Sequence, residues 1–440
     1  MFISKIEIEN IRSLGKLTWR VPGNFETGWH VVLGDNGAGK SSLLKAICLA
    51  MVGPSEAGAL RQPWEEWLNR NELTGKINLE LGWSPEVDNF SGSGNTPSEG
   101  SKLPVKIKFT RSSETTPQVE LSSISCTPSP KRHIWNGGKG WFAASYGPFR
   151  RFTGGDPQTE KMYYSKPRLA RHLSLFDERV ALTECLGWLR ALKFKELESD
   201  FGKSGDAEGS LLQKVRQFLN ESGFLPANVT LGDVSSDKVE FNDANGVDVA
   251  VEELSDGYRS ILSMTFELIR QMSNQFGAEN VFSSDDPTVV VTHGVVVIDE
   301  VDAHLHPTWQ RKIGHWFTKH FPNIQFIVST HSPLVCQSAE KGSIFLLPEA
   351  GADRQAKMLV GQDFNRLVYG NVLDAYGTDA FGASAALTRS EESKDKHQRL
   401  ADLNNKEILK QLAPEEKVEQ ENLRSILPSV APSLKLFEKE

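Results

Sequence analysis

The chain has 440 residues, 39% hydrophobic and 24% charged, which suits a soluble protein with two or three lobes and a large core. A formal net charge of −8 excludes a general polyanion binder, so any nucleic-acid contact needs a local basic patch. No apolar run is long enough to span a bilayer, and four widely separated cysteines (Cys48, Cys126, Cys185, Cys336) without a CxxC pair argue against a zinc or disulfide scaffold and suit a reducing cytoplasm.

Ile3, Ile6, Ile8 and Ile11 largely alternate and predict an early strand, with Leu17 and Trp19 in its hairpin partner. This opening has no basic segment ahead of an apolar core, so no secretory leader is expected. Val31, Val32 and Leu33 then read as a buried strand, and Leu43, Leu44, Ile47 and Cys48 have helical spacing. Between them runs Gly34-Asp35-Asn36-Gly37-Ala38-Gly39-Lys40-Ser41, which fits the phosphate-loop pattern GxxxxGK[ST] in the strand–loop–helix setting that the pattern requires. Its glycines let backbone N–H groups turn around phosphate oxygens, and the helix N-terminus adds partial positive charge. Asn36, Gly37, Ala38, Gly39, Lys40, Ser41 and Ser42 are the candidate nucleotide contacts. Lys40 would reach the β- and γ-phosphates, and the Ser41 hydroxyl would ligate Mg²⁺.

Three alternating stretches follow, through Ile77–Trp83, Val105–Phe109 and Val119–Leu121, and predict an antiparallel side sheet. The Gly/Ser-rich run 89–101 reads as a loop. Residues 155–225 turn helical: Val180, Leu182, Leu186, Leu189 and Leu192 suggest one helix, and Leu211, Leu212, Val215 and Leu219 another. Arg150, Arg151, Lys161, Lys166, Arg168 and Arg171 cluster here with Phe152, Tyr163 and Tyr164. This is the best DNA-facing candidate, against a slightly favoured reading as a solvated lobe surface with Arg150 or Arg151 touching nucleotide or a neighbouring subunit. Val239 and Phe241, a turn at Asn245-Gly246, and Val247, Val249 and Val251 predict a hairpin.

Ser255 and Gly257, in Leu254-Ser255-Asp256-Gly257-Tyr258-Arg259-Ser260, precede a helix with an apolar stripe from Ile261 to Met272, with Ser255 as N-cap. Such an N-terminus is a second anion site. One subunit needs one phosphate loop, so this cradle makes sense if it serves another copy of the chain. Val295–Ile298 is an apolar strand ending in Asp299-Glu300, with Asp299 placed to hold Mg²⁺ and Glu300 to polarise the attacking water. Ile324–Val328 reads as its parallel neighbour, with a helix through Trp309, Ile313, Trp316 and Phe317 between them. His331, in Ser329-Thr330-His331-Ser332-Pro333, would face the γ-phosphate or the water. His304, His306, His315 and His320 match no good metal-ligand spacing. Residues 390–425 are charged and helix-prone, more suited to binding a partner than a nucleic acid.

These elements, in this order, resemble the ABC-type ATPase superfamily over roughly residues 1–350. Leu254–Tyr258 resembles "LSGGQ", with Asp256 and Tyr258 as departures, and no clear Q-loop glutamine lies near Tyr146–Arg151. Asp299–Pro307, Ser329–Pro333, Ile6–Ser13 and Ser145–Phe152 look like the non-transporter branch that includes RecF-like and OLD-like ATPases. The resemblance implies an α/β ABC-ATPase head with a mixed sheet, an antiparallel side β-sheet, an inserted helical lobe and a C-terminal helical extension. Its divisions fall at 1–150 (phosphate loop and side sheet), 151–250 (helical lobe with hairpin), 251–350 (signature, Asp299-Glu300 and His331) and 351–440 (extension). It implies ATP with Mg²⁺ on Ser41 and Asp299, catalysis by Glu300 and His331, and Ser255 and Gly257 acting in trans in a homodimer or higher homo-oligomer. It places His304 and His306 in a loop at the subunit interface. Too few residues follow His331 for a TOPRIM nuclease domain, so the chain looks like an ATPase without its own nuclease. It is similar in this to ATPase subunits of Septu-type anti-phage defence, which implies a cytoplasmic protein with an HNH or TOPRIM nuclease or toxin partner and no membrane. The alternatives are a RecF-like repair clamp on DNA and an ATP-sensing regulator with little turnover.

Overall fold

The computed structural model describes residues 1–23, 26–88, 90, 96–112, 118–135, 141–152, 165–200, 210–225, 229–235, 238–243, 245–349, 355–372, 375, 378, 391–409 and 411–427. Its strands are β1 (Phe2–Ile11), β2 (Leu14–Arg20), β3 (Gly28–Leu33), β4 (Thr74–Gly82), β5 (Leu103–Arg111), β6 (Val119–Ser123), β7 (Ala143–Tyr146), β8 (Thr230–Val234), β9 (Val239–Asn242), β10 (Asp248–Ala250), β11 (Gly294–Ile298), β12 (Ile324–Thr330), β13 (Gly342–Leu346) and β14 (Lys357–Met358). The longer helices are α1 (Lys40–Val52), α2 (Glu184–Asp200), α3 (Leu211–Glu221), α4 (Asp256–Phe276), α5 (Pro307–His320), α6 (Gly361–Tyr369), α7 (Glu391–Ile408) and α8 (Pro414–Ile426). By internal contacts the chain divides into two units, residues 1–380 and 381–440.

The first unit is a mixed α/β assembly of the expected class. A six-stranded sheet has the order β14-β13-β3-β12-β11-β7, parallel throughout except for β14. Every residue of β3, β11 and β12 is buried, as a sheet covered on both faces requires. The predicted side sheet is present as β2-β1-β4-β5-β6, antiparallel at every pairing. Its strands bury alternate residues, so β4 reads Gly75, Ile77, Leu79 and Leu81 inward.

Helix α1 lies between these sheets and packs on both, which explains why ten of its 13 residues are buried: a helix apolar all round needs a wall on each side. The two sheets are also joined directly. Trp19 of β2 stacks on Phe345 of β13 with ring centroids 4.9 Å apart. The Gln325 side chain of β12 accepts from the Ile3 N–H at 2.7 Å and donates to the Ile3 carbonyl at 2.9 Å, where β1 shifts register. Buried and fully satisfied, that amide fixes how the side sheet meets the core.

The stretch 151–250, expected as a helical lobe with a hairpin, holds α2, α3 and a three-stranded sheet, β10-β9-β8, of which the sequence pattern disclosed only the β9–β10 hairpin. Val180 and Leu182 are buried but precede α2, which starts at Glu184, so they belong to the approach to the helix rather than to its stripe. Part of the run 89–101, residues 89 and 91–95, lies outside the described residues. In the second unit α7 and α8 form a pair joined by Arg399–Glu419 at 2.7 Å and Arg424–Glu407 at 2.6 Å. Among the described residues no single helix is long and apolar enough to cross a membrane.

Candidate functional site

Parallel strands end their carbonyl termini on one edge, and that edge gathers the candidate residues. The loop 34–39 leaves β3, Asp299-Glu300 leaves β11, and His331 leaves β12, with β12 hydrogen-bonded between the other two. Asp35, Asn36 and Gly37 are exposed; Gly39, Ser41 and Ser42 are half-buried; Ala38 and Lys40 are buried. Gly39 has φ +96°, and a Cβ there would sit 2.7 Å from Leu14 Cδ2 and 2.9 Å from Ser13 Oγ, so only glycine fits that turn into α1.

Lys40 Nζ donates to the carbonyls of Gly34 at 2.7 Å and Asp35 at 3.1 Å, and lies 3.4 Å from His331 Nδ1. Burial pushes the Lys40 ammonium below its usual range, opposed by Asp299, Glu300, Asp302 and Asp35. His331 is also pushed down, first by burial and then by the Lys40 charge. At neutral pH the imidazole is therefore uncharged, and its Nδ1 can accept from Lys40.

The register of the parallel pair positions the carboxylates. Ile298 lies opposite Val328, so the next residues, Asp299 and Ser329, face each other. Ser329 Oγ donates to Asp299 Oδ1 and accepts from the Glu300 N–H at 2.8 Å. Asp302 is fixed in the same way by Thr330 Oγ1 at 2.6 Å. Glu300 has φ +46°, an uncommon conformation for a non-glycine residue and a form of local strain that clusters at functional sites.

Ser255, Asp256 and Gly257 form the tip at the start of α4. Ser255 occupies the N-cap of α4 as expected, but its side chain makes no cap hydrogen bond. Ser255 and Asp256 are exposed, and the tip lines a groove with Leu225, Tyr258, His304 and Trp309, a lining that includes no phosphate-loop residue among those described. A Cβ on Gly257 would lie 2.6 Å from the His304 carbonyl, so the glycine allows the tip to seat against the loop after β11. Asp256, a departure from the LSGGQ pattern that adds negative charge to this tip, pairs with the Arg259 guanidinium one turn on, which partly offsets that charge.

The basic cluster does not form a DNA-facing patch among the described residues. Arg150 is buried. Its Nε donates to Ser260 Oγ at 3.0 Å, its Nη1 to the carbonyls of Gly147 at 3.1 Å and Asp299 at 3.0 Å, and its Nη2 to the Glu300 carbonyl at 3.0 Å. Burial lowers its pKa to about 10. Arg168 pairs with Glu56 at 2.9 Å, and Arg171 donates to Gln275 and lies over the Phe142 ring. Arg151 and Lys166 are exposed, and Lys161, Tyr163 and Tyr164 lie outside the described residues. Short-range spacing could not show that three of these cations turn inward. Of the histidines, His306 caps α5 by accepting from the Thr308 N–H, and His320 is buried with its Nδ1 2.6 Å from the Thr288 carbonyl.

A family described as "AAA domain, putative AbiEii toxin, Type IV TA system" matches residues 65–337, a span that begins after the phosphate loop and takes in the α4 tip, Asp299-Glu300 and His331. The Septu protein PtuA of Bacillus mycoides (strain KBAB4) is 28% identical over 355 residues, covering 79% of this chain and 40% of that protein. A retron Ec83 probable ATPase of Escherichia coli is 38% identical over 105 residues, 24% of this chain and 18% of that one. The chain thus spans less than half the length of these curated relatives. Among solved structures, an Smc head bound to the C-terminal winged-helix domain of ScpA is 15% identical with a TM-score of 0.46, covering 82% of this chain and 97% of that one.

Proposed function

The chain belongs to the AAA-domain family described as putative AbiEii toxin, Type IV TA system, and from that premise we propose that it is an ABC-type ATPase of an anti-phage defence system, closing as a dimer around ATP. The separation of the two half-sites supports this reading. Lys40, His331, Asp299 and Glu300 gather on one sheet edge, while exposed Ser255 and half-buried Gly257 stand on a tip whose groove none of those four residues lines. A half-site with no phosphate of its own gains a purpose when a second copy presents it to the first copy's loop.

In this reading Asn36–Ser42 hold the phosphates and Lys40 exchanges the carbonyls of Gly34 and Asp35 for phosphate oxygens. Ser41 and Asp299 would hold Mg²⁺. The donors fit a hard cation: a hydroxyl at the start of α1 and a carboxylate already oriented by Ser329. When bound, the ion neutralises charge on the β- and γ-oxygens. Glu300 orients and deprotonates the attacking water, and neutral His331 contacts the γ-phosphate or that water. Binding energy closes the pair and hydrolysis releases it, and that cycle gates a partner nuclease (HNH or TOPRIM class) or toxin.

The trans arrangement is testable by complementation. Ser255→Arg and Lys40→Ala should each be inactive alone, because every site in either homodimer lacks one half. An equimolar mixture should recover about a quarter of wild-type turnover, since half the dimers are mixed and each has one intact site. No recovery, with both variants folded and exchanging subunits, would refute the shared site.

The acid limb of turnover should belong to His331. Its pKa is lowered on folding, so its contribution to stability is present above the ordinary imidazole value and lost as pH falls through the lowered folded value. Protonation also places a cation beside Lys40. Turnover should therefore fall as pH drops below the ordinary imidazole range and through the lowered His331 value, and His331→Ala should lower the plateau about tenfold and flatten that limb. An unchanged acid limb in the variant would remove His331 from the site.

A further inference from the structure

We infer that Arg150 is a positioning residue that mechanically joins the exposed tip of α4 to the backbone carrying Asp299 and Glu300, so that engagement of the tip by a second copy sets the geometry of the carboxylates; this rests on the ATPase reading above. The bonds themselves carry the argument. From a single side chain just past β7, four hydrogen bonds run to Ser260 in the second turn of α4, to Gly147, and to the carbonyls of both Asp299 and Glu300. The guanidinium fork suits this task because its donors leave one rigid plane in fixed directions. A lysine would supply the charge without the fork.

Packing alone would not select this residue. A buried guanidinium is costly to desolvate, and among the described residues Arg150 makes no direct ion pair, only bonds to neutral oxygens. An apolar side chain of similar volume would fill the space more cheaply. What the arginine adds is a connection between two elements about 40 residues apart in sequence, each belonging to a different half-site.

The strap also has room to work. Phe149, Arg150, Asp256, Arg259, Ser260 and His304 line a cleft beside it, so a shift of the tip is not blocked by close packing on that side. A rigid displacement of α4 moves Ser260, Ser260 moves the guanidinium, and the guanidinium carries the two carbonyls with it. Glu300, held at φ +46°, is where such a displacement would have its largest effect, because a strained backbone has a nearby alternative.

The test is steady-state ATP turnover and equilibrium ATP binding on the full chain, wild type against Ser260→Ala, Ser260→Thr and Arg150→Lys, with melting temperatures measured alongside. Ser260→Ala deletes one buried hydroxyl and leaves the bonds to the carbonyls in place. It should leave the ATP dissociation constant within about twofold, lower kcat about tenfold and reduce the Hill coefficient from about 2 towards 1. Ser260→Thr, which keeps the hydroxyl, should restore both. Arg150→Lys should reproduce the loss more severely while still binding ATP. A Ser260→Ala protein with wild-type kcat and cooperativity overturns the inference and leaves the ATPase reading standing. Loss of binding, turnover and melting temperature together in Ser260→Ala and Arg150→Lys also overturns it, since that is a structural role. A wild-type chain that does not hydrolyse ATP overturns the ATPase reading and this inference with it.

Discussion

Lys40→Ala should weaken ATP binding about 100-fold while leaving the apo protein about as stable as wild type. The two halves of this result have one cause. In the protomer the Lys40 ammonium is buried, pushed down by desolvation, and satisfied by the carbonyls of Gly34 and Asp35. Removing it relieves a desolvation cost; water can satisfy the freed carbonyl of exposed Asp35, while the freed carbonyl of buried Gly34 offsets part of that gain. With nucleotide present the balance reverses. Two or more charge-assisted bonds to phosphate are lost, about 3 kcal/mol or more, which is a loss of about 100-fold in affinity. The readout is the melting temperature with and without ATP. Wild type should shift upward with ligand as mass action requires, and the variant should shift far less at the same ATP concentration. A variant that kept its ATP-dependent shift would remove Lys40 from the phosphate site. A variant that melted far below wild type without ATP would mean that the lysine holds the fold.

Much of this site could be read before any coordinates, because its parts are local in sequence. The strand–loop–helix around Gly34–Ser41 carries its own punctuation, and the run Val295–Glu300 announces both a strand and its end. The side sheet was legible for the same reason, since Ile77, Leu79 and Leu81 alternate so strictly. What stayed hidden depends on contacts between distant segments. Nothing near Arg150 says that its guanidinium turns inward to the carbonyls of Asp299 and Glu300, 149 and 150 residues away. Ser145-Tyr146 gave no strand signal because β7 is only four residues long and wholly buried, so it shows no alternation. Strand order was equally invisible: β3 lies between β12 and β13, which come about 300 residues later. The Arg259 partner of Asp256 was equally absent from the sequence reading, although it lies one helical turn away.

Glu300→Gln should separate binding from chemistry. The substitution is nearly isosteric, and what fixes this residue is its backbone: the N–H bonded to Ser329 Oγ, the carbonyl held by Arg150, and the strained φ. None of these involves the side-chain carboxylate, so the glutamine should take the same position. The charge and the proton acceptor both vanish. General-base catalysis of this kind contributes about 10²–10⁴-fold, so turnover should fall by at least about a hundredfold. Binding should not weaken. Deleting a negative charge near the phosphates removes a repulsion, and the Lys40 ammonium loses one of the carboxylates it faces, which leaves more of its charge for ATP. If hydrolysis is what opens the pair, ATP should then hold the variant as a long-lived dimer, visible by light scattering at protein concentrations where wild type returns to monomer after turnover. Asp299→Asn should behave differently: the amide Oδ1 can still accept from Ser329 Oγ, but the negative charge proposed to hold Mg²⁺ is gone, so this variant should lose ATP-dependent dimer formation. Wild-type turnover in Glu300→Gln would strike out the carboxylate as the base, and loss of nucleotide binding in that variant would place the residue among the binding groups instead.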